Sequence, residues 1–148
     1  MKTNRTFQIE SLQSRLALSA TTVETEPNNG QSSADSFVVP EDGLMALVGT
    51  STSDKDKDYF TFVAPANGQL HAVVDSPNGE FPQLEIETQQ SVKVLETQPN
   101  DDINSGVASL QAGVRYYARV RAKDNDAAEY IVHLDFNGSG GNGGNSGG

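Results

Sequence analysis

The sequence predicts an all-β, jelly-roll-like β-sandwich of about eight antiparallel strands. Short segments alternate between apolar and polar residues, and turn-forming residues separate them. No window of useful length has the apolar spacing of an amphipathic helix. Many short strands divided by turns are typical of sandwiches and jelly rolls. We expect the strands at residues 44–49, 58–64, 69–75, 83–88, 92–96, 106–110, 115–122 and 128–136.

The alternation also predicts which side chains face the core, since successive residues of a strand point to opposite faces. Asp58 has the same parity as Phe60 and Phe62, so we expect it at the mouth of the core. Glu85 and Glu87 are expected to face outward. The inward residues are predicted to be Phe60, Phe62, Leu70, Ala72, Val74, Leu84, Ile86, Tyr116, Ala118, Val120, Tyr130, Val132, Leu134 and Phe136.

Two end segments flank the predicted domain at 22–136. Residues 1–20 begin basic and end in small residues, but their apolar run is too short for an ordinary secretory signal. They resemble an N-terminal signature of exported bacterial surface proteins, and we expect a leader that is disordered or removed; a misassigned start codon is the alternative. Residues 137–148 contain only Asn, Gly and Ser, which predicts a flexible tail. The signature is carried by Ile9, Glu10, Ser11, Leu12, Ser14, Arg15, Leu16, Leu18, Ser19 and Ala20.

Charge and cysteine content exclude several classes of function. The chain has 20 acidic and 10 basic residues, and those after position 20 number 19 acidic and 7 basic, a net charge of −12. Such a surface repels phosphate backbones, so no nucleic-acid partner is expected. The absence of cysteine excludes disulfides, thiolate zinc sites and cysteine nucleophiles. A metal ion is one remaining way to staple a small exported domain.

Four segments, in this order, resemble the bacterial pre-peptidase C-terminal domain over residues 22–136. The resemblance implies a jelly-roll sandwich attached to secreted peptidases or other exported enzymes. The family includes the collagen-binding domains of clostridial-type collagenases. In that branch calcium lies between two of these segments, which implies Glu24, Glu26, Asn28, Asp56 and Asp58 as its ligands here. The segments are Thr25-Glu26-Pro27-Asn28-Asn29, residues 53–62 (SDKDKDYFTF), residues 65–70 (PANGQL) and residues 110–117 (LQAGVRYY).

The residue types suit calcium, which takes six to eight oxygen ligands. Glu24 and Glu26 share one side of an extended chain, as Asp56 and Asp58 do, so two clusters could clamp one ion. Asp54 has the same parity and could add an oxygen or a second site. The alternative is that residues 54–58 form a solvated turn whose lysines neutralise its aspartates. If the alternation holds, Lys55 and Lys57, like all residues of that parity, point away from the site.

A second candidate is a stripe of alternate residues on the strand at 115–122: Arg115, Tyr117, Arg119 and Arg121. In the collagen-binding branch the corresponding outer face carries aromatic residues that contact the ligand. Tyr117 matches that pattern, whereas Arg119 and Arg121 stand where the branch tends to have His and Tyr. Tyr117, Arg119 and Arg121 are therefore candidate ligand-binding residues. The alternative is cross-strand pairing with Glu85, Glu87, Glu129 or Asp135.

No catalytic motif is recognisable, and His71 and His133 lie on the polar parity of their strands without a convincing serine partner. We therefore predict a monomeric, non-catalytic, calcium-stabilised module, secreted or at the cell surface, that assists or targets an exported peptidase, another enzyme or a surface protein. The chain has no stretch approaching the roughly 18 apolar residues of a membrane span. Two alternatives are a module that binds extracellular matrix protein or polysaccharide through the stripe, and a stand-alone hydrolase.

Overall fold

The computed structural model describes residues 20–98 and 104–138, which form ten strands and one short 3₁₀ turn at Gln31–Ser33. The described part of the chain holds no helix that could span a membrane. The strands are β1 (Ala20–Val23), β2 (Asp35–Ser36), β3 (Leu44–Ser51), β4 (Lys57–Val63), β5 (Gly68–Asp75), β6 (Gln83–Thr88), β7 (Lys93–Glu96), β8 (Ser105–Leu110), β9 (Arg115–Arg121) and β10 (Ala128–Gly138).

The strands form two five-stranded sheets that pack face to face. The first sheet has the order β1-β3-β10-β5-β8, and the second has the order β2-β4-β9-β6-β7. The predicted sandwich is confirmed, and each of the eight predicted strands lies within two residues of its expected bounds. Residues 1–19 of the predicted leader at 1–20 and residues 139–148 of the predicted tail lie outside the described residues, whereas Ala20 begins β1 and residues 137–138 end β10.

The sandwich has ten strands rather than about eight because two short strands, β1 and β2, add to the expected set. They pair in parallel, β1 with β3 and β2 with β4, whereas the other strand pairs are antiparallel. With four and two residues, they are too short to show a reliable alternation. Tertiary pairing therefore defines them, and both lie at sheet edges beside the segment that becomes the candidate site.

The core lies between the sheets, and every side chain predicted to face inward is more than nine-tenths buried. Full burial of one large apolar side chain contributes about 1.5–3 kcal/mol relative to exposure. Phe60 of the second sheet meets Tyr130 of the first in an edge-to-face contact, with ring centroids 6.5 Å apart. Phe62 stacks against Phe37 at 5.1 Å. The contact between Phe60 and Tyr130 thus connects the two sheets two residues from Asp58.

The outward glutamates differ from expectation. Glu85 and Glu87 do lie on the outer face of the second sheet, but they are only 5% and 7% exposed. Gln31, from the 3₁₀ turn, donates a hydrogen bond to Oε2 of Glu87 (3.0 Å), so the chain between β1 and β2 covers this end of the sheet. Arg119 and Lys93 form ion pairs with Glu85. A side chain that points outward from this face of the second sheet is therefore not necessarily exposed to solvent.

Candidate metal centre

The candidate site lies where the chain crosses from the first sheet to the second, between β1 and β2. At one end, the backbone N–H of Glu24 donates to the carbonyl of Val48 on β3 (2.8 Å). At the other end, the carbonyl of Asn28 accepts from the N–H of Tyr59 on β4 (2.9 Å). Residues 24–28 are thus attached to both sheets, and their side chains meet the start of β4.

Three carboxylates converge at this crossing. Glu24, Glu26 and Asp58 each contribute an oxygen, and these oxygens lie within 4.8 Å of one another. Calcium binds oxygen at about 2.3–2.6 Å, so two oxygens on one ion are at most about 5 Å apart. The three oxygens therefore fit a single cation. Each of the ion pairs found among the described residues involves Lys93 or Arg119, so within them no basic side chain pairs with these carboxylates.

Asp58 is the most buried of the three, with no exposed surface. Its Oδ2 accepts a hydrogen bond from the hydroxyl of Tyr130 (2.7 Å), whereas its Oδ1 is buried without a partner among the described residues. The pKa of Asp58 is raised to about 9: burial is the largest cause, the hydrogen bond from Tyr130 lowers the pKa, and the negative charges of Glu24, Asp56 and Glu26 raise it. Burial and the neighbouring Glu26 also raise the pKa of Glu24. A cation would relieve this repulsion.

The side-chain amide of Asn28 lies beside the carboxylates. The residue is fully buried, and its Nδ2 donates to Oε1 of Glu24 (3.2 Å) and to Oδ2 of Asp35 (3.0 Å). Its Oδ1 has no hydrogen-bond partner in the described part of the chain. Buried amide oxygens are rarely left unpaired, since an unsatisfied group costs about 1–3 kcal/mol. Together with Asp58 Oδ1, it makes two buried acceptors that lack a donor.

Asp56, the fifth predicted ligand, lies at the edge of the site. Its Oδ2 accepts from the N–H and the hydroxyl of Thr52 (2.9 and 3.1 Å). The amide of Asn29, oriented with its nitrogen toward Asp56, donates to Oδ1 (3.2 Å). Asp56 lines the same open cleft as Glu24 and Glu26, but it is outside the group of three carboxylates. In this arrangement it fixes the loop that leads into β4.

The lysine nearest the site does not point away as expected. Residues 53–56 form a turn, closed by a hydrogen bond from the N–H of Asp56 to the carbonyl of Ser53 (3.0 Å), so strand alternation begins only at Lys57. Lys55 consequently lines the cleft beside the carboxylates. Asp54 is not among the residues that line this cleft, and its backbone N–H donates to the carbonyl of Asp124 (2.8 Å).

Three further residues support the site and were not identified as functional from the sequence. Asp35 and Tyr130 hold Asn28 and Asp58 as described, and Gly49 leaves room for the side chains of Glu24 and Tyr130. The sequence does carry a partial signal, because Tyr130 was expected among inward residues and a buried tyrosine hydroxyl usually requires a partner. Nothing local marks Asp35 or Gly49.

A second group of carboxylates lies at the loop between β9 and β10. Glu80, Asp124 and Asp126 also place one oxygen each within 4.8 Å of one another. Glu80 is half-buried and the two aspartates are exposed. Residues 123–126 (KDND) lie between two predicted strands, and the sequence indicates only a turn there. Because exposed acidic groups often gather without a cation, this group carries less weight than the group that includes the fully buried Asp58.

The stripe on β9 faces outward as predicted, but it is largely engaged within the sheet. Tyr117 is 7% exposed, and Arg119 forms an ion pair with Glu85 directly across on β6. Arg121 donates to Gln83 (3.3 Å), and Arg115 donates to Thr61 (3.0 Å). The expected pairing with Glu129 or Asp135 does not occur, because both lie on β10 in the other sheet.

The histidines lie on the outer face of the first sheet, where Asp135 is the cross-strand neighbour of His71 and Val73 is that of His133. His71 is exposed and His133 is half-buried. This face is the one opposite to the core, and the candidate metal centre contains neither residue. The imidazoles and the carboxylate cluster therefore do not form one site.

The fold and the site together define a two-sheet β-sandwich module with three converging carboxylates at its rim, of which Asp58 is buried, Glu24 is half-buried and Glu26 is exposed. No family model matches the sequence, and no curated protein matches it either. Solved structures do share the fold. The periplasmic inhibitor of g-type lysozyme, PliG, from Aeromonas hydrophila has a TM-score of 0.56 at 12% identity, covering 80% of this chain and 100% of that chain.

Two further solved structures are similar. The pre-peptidase C-terminal domain of a collagenase from Bacillus anthracis has a TM-score of 0.55 at 16% identity, over 75% of this chain and 99% of that chain. The Yersinia pseudotuberculosis-derived mitogen has a TM-score of 0.50 at 12% identity, over 64% of this chain and 86% of that chain. At these identities the likeness concerns the fold, since unrelated functions share such sandwiches.

Proposed function

We propose that this chain is a divergent pre-peptidase C-terminal domain, acting outside the cytoplasm as a calcium-stabilised accessory module of an exported enzyme or surface protein. The observation that carries the proposal is the convergence of Glu24, Glu26 and Asp58, with the Oδ1 of Asp58 buried and unpartnered. The quoted sequence segments and the similarity of fold to the collagenase domain add support.

Calcium suits this donor set better than magnesium. The ligands are carboxylate and amide oxygens on a loop and a strand, and the site opens into a cleft of about 520 Å³ that admits water. Calcium accepts six to eight oxygens in flexible geometry, whereas magnesium requires a near-octahedral shell at about 2.0–2.1 Å. When bound, the cation would neutralise the carboxylates. This chain's own residues would then hold the crossing segment against β4, so that binding energy becomes folding energy.

Thermal melting of the full chain in calcium and in chelator tests the proposal. Extracellular calcium sites have dissociation constants of about 10⁻⁴–10⁻³ M. At a hundredfold excess of calcium the linkage gain is about 2.7 kcal/mol, which raises the melting temperature by several degrees. Glu26→Gln should lose most of this gain, while Glu41→Gln, at an exposed loop residue, should retain it. Equal melting curves in calcium and chelator would contradict the proposal.

The accessory role is supported by what the buried polar site contains. It consists of carboxylates, one amide and a tyrosine hydroxyl, which can hold and neutralise a cation, and the histidines lie elsewhere. We therefore expect no peptide, ester or glycoside hydrolysis by the purified chain. Hydrolysis that is lost in both Glu24→Gln and Glu26→Gln would instead identify the cluster as an active centre.

Binding of matrix protein or polysaccharide through Tyr117, Arg119 and Arg121 remains the alternative. The contacts on this face favour a structural cross-strand ladder, because Arg119 pairs with Glu85 and Arg121 donates to Gln83 on the neighbouring strand.

A further inference from the structure

Two oxygens of the candidate metal centre, Oδ1 of Asn28 and Oδ1 of Asp58, are buried and have no hydrogen-bond donor among the described residues. Both residues are fully buried, so bulk water does not satisfy these atoms either. Each side chain has a second polar atom, and that atom is held by a residue outside the group of predicted ligands. The orientation of the two unpartnered oxygens therefore depends on these outer residues.

Asp35 determines how the amide of Asn28 is turned. The amide carries its nitrogen and oxygen on opposite branches, so fixing one fixes the other. Nδ2 of Asn28 donates to Oδ2 of Asp35 (3.0 Å) and to Oε1 of Glu24 (3.2 Å). The same Oδ2 of Asp35 accepts from the N–H of Thr25 (2.8 Å). Because Asp35 belongs to β2, it anchors the crossing segment to the second sheet without any metal.

Tyr130 determines how the carboxylate of Asp58 is turned. Its hydroxyl donates to Oδ2 of Asp58 (2.7 Å), which leaves Oδ1 directed elsewhere. The ring is 1% exposed and packs edge-to-face against Phe60, so the hydroxyl has little freedom to move. Tyr130 lies on β10 of the first sheet and Asp58 on β4 of the second, so this hydrogen bond also joins the sheets.

We propose that Asp35 and Tyr130 are the positioning residues of the calcium site, each holding one buried ligand so that its unpartnered oxygen faces the cation. This inference rests on the proposed function, and neither residue is itself a ligand in it. Residues that orient metal ligands in this way typically change metal affinity by about 10–100-fold when they are replaced. A purely structural role would instead lower stability and leave the affinity unchanged.

The test uses the full chain and two substitutions with matched controls. Tyr130→Phe removes only the hydroxyl, and its control is Tyr116→Phe, since Tyr116 is also buried and its hydroxyl accepts one hydrogen bond, from Gln111 (2.9 Å). Asp35→Ala removes the acceptor for Asn28, and its control is Asp135→Ala, at an exposed strand carboxylate. Calcium affinity is measured by amide NMR titration at constant ionic strength, and stability by melting in chelator.

We expect Tyr130→Phe and Asp35→Ala to weaken calcium binding about 10–100-fold, while the two controls stay within about twofold of the wild type. If Asp35→Ala does not fold, Asp35→Asn should weaken binding in the same direction by less. Variants that melt lower in chelator but bind calcium like the wild type would overturn the inference and leave the proposed function standing. A wild-type chain that does not bind calcium would remove both.

Discussion

Gly49 lies directly beneath Glu24: a Cβ atom at Gly49 would come within 2.4 Å of Cγ of Glu24 and within 2.6 Å of the hydroxyl of Tyr130. Real Cβ atoms essentially never approach so closely. Two side chains therefore pass over β3 at Gly49: Glu24, a predicted ligand, and Tyr130, which donates a hydrogen bond to Asp58. The geometry of the site therefore requires glycine at position 49, where any side chain would collide with Glu24 and Tyr130.

Gly49→Ala should therefore weaken calcium-dependent stabilisation, because Glu24 or Tyr130 must move to make room. We expect a loss of about 1–3 kcal/mol in the free energy of unfolding, as for other overpacked sites, and a smaller rise of melting temperature with calcium. Gly30→Ala is the matched control, since Gly30 has an extended backbone (φ −150°) and open space around its Cβ position. A Gly49→Ala chain whose calcium response equals that of Gly30→Ala would contradict this account.

The stability of the calcium-free chain should fall as the pH rises from about 4 to 9. Burial raises the pKa of folded Asp58 from 3.8 to about 9, so across this interval the folded state holds a proton that the unfolded state has released. Raising the pH then favours the unfolded state. The loss begins above the unfolded pKa and levels off beyond the folded one.

Melting in chelator at pH 5, 7 and 9 measures this dependence, and Asp58→Asn isolates it from other titrating groups. The difference between wild type and Asp58→Asn should change with pH in the direction that disfavours the wild type at pH 9. Calcium should flatten the wild-type curve, because the cation replaces the proton as the partner of the carboxylate. A difference that stays constant from pH 5 to 9 would show that Asp58 does not carry a raised pKa.

The strands and the core could be predicted from the sequence because both follow from local alternation. Phe60, Phe62 and Asp58 share one face in the prediction and in the structure for the same reason. Strand alternation does not apply to Lys55, because Lys55 lies in the turn at 53–56, before β4 begins. The parity rule therefore holds only where pairing with a neighbouring strand enforces it.

The supporting contacts of the site could not be predicted, because they join residues that are far apart in the chain. Tyr130 and Asp58 are 72 positions apart. No spacing rule relates β10 to β4, which lie in different sheets and face each other across the core. The resemblance to a family indicated ligand types in the right segments, but it did not indicate that Asp56 would be held at the rim by Thr52.

A fragment of residues 20–138 should melt like the full chain. All ten strands and the buried core lie within these bounds, which extend the predicted 22–136 domain by the start of β1 and the end of β10. We expect the same β-type circular dichroism, the same cooperativity and the same calcium response. A fragment that melts several degrees lower or less cooperatively would show that residues outside these bounds pack on the sandwich.

Arg119 should matter for stability more than for ligand binding. Arg119→Ala leaves the buried Glu85 with only the half-exposed Lys93 as an ionic partner, so we expect a loss of about 1–3 kcal/mol. Arg115→Ala removes the same charge from an exposed residue of the same strand, whose side chain bonds only Thr61 among the described contacts, and should cost less, about 0.5–1.5 kcal/mol.

Ligand binding through the outer face of β9 would give a different experimental result from a purely structural role. If Tyr117, Arg119 and Arg121 contact a ligand, the full chain should be retained on cell-wall or matrix material at low salt and released as salt screens the arginines. Because Tyr117 is 7% exposed and Arg119 and Arg121 are engaged with Glu85 and Gln83, we expect no difference in retention between wild type and Arg121→Gln. Retention that Arg121→Gln abolishes without lowering the melting temperature would establish the face as a binding surface and overturn the structural interpretation.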